Sequence, residues 1–145
     1  MLHPVIAKGK PMRHLPAALL LAVLPEAATA QAFTTAAEVR PILELTRANW
    51  VAIGTQTGQD LLYFTQILSW RCGLSEIRYG INGAPPEQVF EMEPCYADTN
   101  QPNAIRALPY VGYGLGSIES VTVEIVYEDG VSDGAAFTRA EVLLH

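Results

Sequence analysis

A bond between Cys72 and Cys95, the two cysteines of the chain, would constrain its fold more than any other feature of the sequence. Between them lie Asn82-Gly83 and Pro85-Pro86, residues that turn a chain, flanked by alternating apolar and polar positions. Joined, the cysteines close a hairpin-sized loop, which by chain-entropy arguments stabilises a domain by roughly 3 kcal/mol. Ile77, Tyr79 and Ile81 form one apolar set and Phe90 and Met92 the facing one. That parity puts both cysteines on the polar side with Glu76, Arg78, Glu91 and Glu93. Facing Cys72 with Cys95 sets Glu76 opposite Glu91, an unfavourable like-charge pair. A loop from Gly83 to Pro86 instead sets Arg78 opposite Glu91, with an irregularity near Gly73, and is the expected register.

A disulfide needs an oxidising compartment, and the N-terminal residues read as the route to one. Lys8, Lys10 and Arg13 make a basic region, Leu15 to Leu24 an apolar one, and Ala28-Thr29-Ala30 a small-residue cleavage site. The apolar run is about half of the roughly 20 residues that span a bilayer, so a cleaved secretory signal over residues 1–30 is expected rather than an anchor. Met12 is an alternative start. Cleavage near Ala30 would release a periplasmic or secreted chain, residues 31–145, with no membrane anchor in its mature form. It would hold six arginines, no lysine and fourteen carboxylates, a net charge of −8. Such a surface repels nucleic acid and anionic membrane, which leaves a protein partner, with basic proteins the favoured kind.

Residues 31–145 are one domain's worth of chain. Thr35 and Glu38 form a capping box, and Val39, Ile42, Leu43, Thr46 and Trp50 follow at helical spacing, so an amphipathic helix opens the domain. Pro41 requires that helix either to kink or to begin there. Residues 50–53 and 60–70 read as two strands around a glycine-bounded turn. The second is apolar on both parities, as a central strand is, although Leu61, Phe64 and Leu68 also fit a helix. Val121, Val123, Ile125 and Tyr127 alternate with polar residues in a half-buried strand. A last strand over 135–145 has Ala136, Ala140, Val142 and Leu144 as its inward set. The expected fold is α+β: one N-terminal amphipathic helix packed on a mostly antiparallel sheet of about six strands, with one disulfide.

Residue content narrows the chemistry. Beyond residue 30 the one histidine is the terminal His145, so triads and histidine metal sites lack their imidazole. The Gly112 to Ser117 stretch lacks the following helix of a phosphate loop. "DGVSDG" at 129–134 begins like a calcium loop, but Val131 and Ala140 stand where ligands belong. No metal or cofactor is expected. Glu91, Glu93 and Asp98 are the catalytic candidates, as paired acids for glycoside hydrolysis. The segment 95–117 is long and rich in Pro, Asn and Gly. Its Tyr96, Arg106, Tyr110 and Tyr113 are residue types favoured at contact surfaces, and they are the binding candidates. The balance is against catalysis and favours a small secreted or periplasmic binding or accessory module, for instance an inhibitor or escort of an envelope protein. One alternative is a carboxylate-dependent hydrolase acting on envelope glycan. Another is a small-molecule carrier with an apolar pocket between helix and sheet.

Overall fold

A computed structural model describes residues 2–5, 8–25 and 31–145. The expected cleavage site at Ala28-Thr29-Ala30 lies outside the described residues, and those described ahead of Gln31 are exposed, with no helix or strand. No helix among the described residues is long and apolar enough to cross a membrane. The fold is mixed α and β, with two antiparallel sheets and one disulfide.

Helix α1 (Ala36–Leu45) starts where the capping box requires. The Thr35 hydroxyl accepts from the Glu38 N–H, and the Glu38 carboxylate accepts from the Thr34 and Thr35 N–H groups. Pro41 lies inside this helix, on its exposed side, where water can reach the Ala37 carbonyl that loses its donor. Val39 and Leu43 are fully buried, and a short 3-10 turn (Arg47–Asn49) then brings Trp50 under the helix, its Nε1 donating to the Leu43 carbonyl at 2.9 Å.

Strand β1 (Ala52–Gly54) pairs with β2 (Gln59–Tyr63), which is central in a three-stranded sheet completed by β5 (Tyr110–Gly114). Both parities of β2 are buried, at Leu61 and Leu62, as its two-sided pattern predicts. The strand expected to run to residue 70 stops at Tyr63. The Phe64 N–H donates to the Pro109 carbonyl, a helical turn α2 (Thr65–Leu68) follows, and a 3-10 turn covers Arg71–Gly73. The helical spacing of Leu61, Phe64 and Leu68 was therefore the better guide to residues 65–68. Gly73 permits the close approach that follows, since a Cβ there would lie 2.4 Å from Val39 Cγ2 and 2.7 Å from the Thr35 carbonyl oxygen.

The second sheet has the order β4-β3-β6-β7, with β3 Leu74–Ile81, β4 Gln88–Phe90, β6 Ser120–Tyr127 and β7 Ser132–Thr138. In β6 the four odd positions are buried, as alternation predicts. Its register sets Val121 against Phe137 and Val123 against Ala135, so the inward residues of β7 are Ala135 and Phe137. The predicted inward set fails at Ala136, Ala140 and Leu144, all exposed, and holds at Val142. The chain leaves the sheet because Thr138 and Glu141 form a second capping box, which starts the short helix α3 (Arg139–Val142). Among the described residues seven strands replace the expected six or so, in two sheets rather than one.

The β3–β4 hairpin takes the register opposite to the expected one: Ile77 faces Phe90 and Arg78 faces Val89. The like-charge objection lapses because the ladder ends at Phe90, before Glu91 can oppose Glu76. Glu76 instead pairs with Arg78 on its own strand, and Arg78 also reaches Glu124. Asn82 and Gly83 turn the chain in left-handed conformations, and the loop folds back over Gly80, where a Cβ would sit 2.4 Å from the Ala84 and Pro85 carbonyl oxygens. The irregularity falls between Leu74 and Glu76, against β6. Cys72 and Cys95 are bonded across a separation of 23 residues, but they do not share a polar face. Cys72 is buried in the 3-10 turn below β3, and Cys95 is exposed.

Side chains from α1 and both sheets meet in one hydrophobic cluster, in which Phe64 stacks near Tyr79 and Phe90 with centroids 5.0 and 4.6 Å away. Each large apolar side chain fully buried there contributes about 1.5–3 kcal/mol. The space between helix and sheet is filled by Val39, Leu43, Ile77 and Ile125, each fully buried.

Candidate functional site

Residues 91–109 connect β4 to β5 without a helix or strand. Backbone groups in such a segment must find partners outside a ladder, and Arg71 supplies them. Its side chain is 2% exposed, and its guanidinium donates to six main-chain carbonyls: those of Leu68, Glu93, Pro94, Pro102, Asn103 and Ala104, at 2.8 to 3.4 Å. Among the described residues no carboxylate forms a salt bridge with it. A planar fork with five N–H donors suits this role, and a lysine ammonium could not copy it. Asn103 adds a second tie, accepting from the Cys72 N–H at 2.8 Å and donating to the Phe33 carbonyl at 3.0 Å. The disulfide fixes the same stretch covalently at Cys95.

Glu93, a catalytic candidate, is a structural clasp. Its carboxylate accepts from the Tyr96 hydroxyl and from the Arg106 and Ala107 N–H groups, the Arg106 N–H lying 2.9 Å away. Burial works to raise its pKa, yet these donors and the nearby Arg71 charge outweigh it and hold the carboxyl below its ordinary value. A carboxylate so held is a poor proton donor. Glu91 and Asp98 are exposed.

The four binding candidates fall into three groups. Tyr96 and Arg106 meet directly, with the guanidinium carbon 4.1 Å from the ring centroid, and the Arg71 guanidinium carbon lies 5.3 Å from the same ring. Hydrogen bonding to Glu93, reinforced by partial burial, raises the Tyr96 phenol pKa. Tyr110 and Tyr113 stand on β5 and not in the irregular loop. Tyr110 packs edge to face on Tyr63 with centroids 5.2 Å apart. Tyr113 reaches across to the second sheet, its hydroxyl donating to that of Tyr79 at 3.0 Å, and burial first and this contact second push its pKa up.

Two features went unseen in the sequence. Arg71 lies next to Cys72, just past the strand expected over 60–70, where nothing in the sequence marks it. Asp60 is the first residue of what reads as a strand, a lone acid at its start, yet it is fully buried. It accepts two bonds from Arg139, at 2.6 and 3.0 Å, and one each from the Gly116 and Ile118 N–H groups. Arg139 above all holds the Asp60 carboxyl far below the ordinary aspartate range, against the opposing pull of burial. A cation 79 residues away in sequence gives no signal in a single chain. The two acids of "DGVSDG" go to helix α1: Asp129 to Arg40 and Asp133 to Arg47, the latter with Nη2 to Oδ2 at 2.6 Å. Among the described residues no three His, Cys, Asp or Glu side chains are grouped as a metal site.

Every arginine beyond residue 30 is thus committed within the fold, five to acids or main-chain carbonyls and Arg106 to the Tyr96 ring. The carboxylates outnumber them, so the uncompensated charge of the surface is negative. No family model matches this chain, no curated protein matches it in sequence, and no solved structure matches it. Its own geometry must therefore carry the functional reading.

Proposed function

We propose that this protein is a non-catalytic binding module of an oxidising compartment, periplasmic or extracellular, whose contact surface is formed by residues 91–109 together with Tyr110 and Tyr113. One observation carries the reading: the irregular segment is held from beneath by Arg71, clasped at Glu93 and stapled at Cys95. Ordering a loop at the moment of binding costs about 0.5–1.5 kcal/mol per immobilised side chain, and a loop ordered beforehand avoids that cost. The spare negative charge favours a basic protein as partner and speeds encounter with it. An inhibitor or an escort of an envelope protein would use such a surface.

The test is photo-crosslinking in the cells that make the protein, with the reactive residue placed at Asp98 on the exposed loop and, as control, at Glu44 on the outer side of α1. A defined protein adduct from position 98 that is absent from position 44 and weakened by Arg106→Glu is the expected result. The same diffuse pattern from both positions would remove the reading.

A further inference from the structure

A cleft of about 760 Å³ opens between residues 31–34, Ser69 and Trp70 just after α2, and Ala97 with residues 99–104 of the loop. Its volume falls in the range of small-molecule sites, ~300–1,000 Å³. None of the described residues lining it is ionisable, in a chain where 17% of residues are charged. A phosphate, carboxylate or ammonium ligand would find no counter-charge on these walls and would lose its hydration without compensation. The occupant that fits is uncharged.

The walls offer aromatic surface, carboxamides and hydroxyls together. Trp70 and Phe33 meet edge to face with centroids 5.1 Å apart, and the Trp70 Nε1 is buried without a hydrogen-bond partner among the described residues. Asn100 and Gln101 are exposed at the rim, each carboxamide able to donate twice and accept. Thr34 adds a hydroxyl. Sugars present C–H faces that pack on aromatic rings and hydroxyls that both donate and accept, which matches this mixture. The walls are also fixed. The Asn103 carboxamide bonds to the Phe33 carbonyl and ties one wall to the other, while Arg71 holds the Pro102, Asn103 and Ala104 carbonyls. Phe33 itself adopts φ 51, a left-handed conformation that a residue with a side chain keeps only where its surroundings hold it.

We propose that this cleft binds a neutral oligosaccharide. The site shares Ala97 and residues 99–104 with the protein-contact surface but does not need a protein partner. To test it, the disulfide-intact protein is titrated to millimolar concentrations with cellohexaose, chitohexaose and maltohexaose, and the Trp70 indole N–H is followed by proton–nitrogen NMR, assigned with Trp70→Phe. At least one of these neutral sugars should move the Trp70 indole and the Asn100 and Gln101 carboxamide signals together and saturably. The Trp50 indole, bonded to Leu43 in the core, should stay in place. Gln101→Ala, which removes hydrogen bonds at an exposed position, should weaken binding about fivefold. Absence of a saturable Trp70 shift with all three sugars would overturn the proposal, and so would an equal response to an oligogalacturonate, whose charge the cleft is argued to reject. Either failure would leave the crosslinking result at position 98 unaffected, so the two readings can fail separately.

Discussion

Two arginines lie at the centre of two differently built regions. Arg139 meets a carboxylate: it and the fully buried Asp60 form a bidentate pair that joins β2 to α3, and Asp60 also caps the Gly116 and Ile118 N–H groups of the β5–β6 turn. Arg71 donates its hydrogen bonds only to main-chain carbonyls, and through them it shapes residues 93–104. The first arrangement depends on one partner side chain, and losing either member leaves the other without its counter-charge. The second depends on no acidic partner, so the side chains above it can vary while the backbone beneath them keeps its path. Regular elements are locked by a pair of side chains, and the irregular surface is held by one cation reading the backbone.

The sharpest way to break the ion-paired region is Asp60→Ala, which strands the Arg139 charge and two N–H groups. Removing one partner of a buried pair costs about 3–5 kcal/mol, and urea unfolding should show a loss of that size. The same pair sets a pH dependence. The folded Asp60 carboxyl has its pKa far below that of an unfolded aspartate, so its contribution is complete above the unfolded value of about 3.9. It declines as the pH falls below that value towards the folded one, because the unfolded chain then binds the proton more readily. Asp60→Asn should flatten the stability profile over that acidic range, and an unchanged slope would show that Asp60 is not its source.

For the loop region, removing the disulfide with Cys72→Ala and Cys95→Ala should cost about 3 kcal/mol in the same assay, from the loop it closes. Arg71→Met should cost about 2–3 kcal/mol, since hydrogen bonds to a charged group contribute ~1.5–3 kcal/mol each and the freed carbonyls can partly rehydrate. Arg71→Lys should recover little of it, because an ammonium cannot reach carbonyls on several sides at once. The smallest effect belongs to Glu93→Gln, about 1 kcal/mol, as an amide oxygen still accepts but without the charge that strengthens the clasp. If Arg71→Lys were as stable as the native protein, the distinction between a fork reading the backbone and a simple buried charge would fail.

The contrast also explains what the sequence made legible. Local patterns survived folding: the Thr35–Glu38 capping box, the alternation in β6 and the two-sided burial of β2 each need only neighbouring residues. The disulfide pairing followed from there being two cysteines, but the face they were assigned did not, because parity was extended to Cys72 beyond the start of β3 at Leu74. The last strand ends at Thr138, earlier than its apolar pattern implies, because Thr138 and Glu141 form a capping box within residues that also fit a strand. The hairpin register turned on a ladder that stops at Phe90, a length that alternation does not encode. Tyr96 and Arg106 proved to be neighbours, whereas Arg71, which holds the surface they occupy, carries no motif at all. Its role exists only once six carbonyls from distant positions converge on it.

Arg71 fixes the 91–109 segment independently of the core. Hydrogen exchange on Arg71→Met with the disulfide intact tests this most directly. Protection should fall at the Tyr96, Ala104 and Arg106 amides, which bond within the segment or to Glu93, while the paired amides of β3 and β6 exchange as in the native protein. Native protection at those three amides would contradict the account, and so would a uniform loss across both regions.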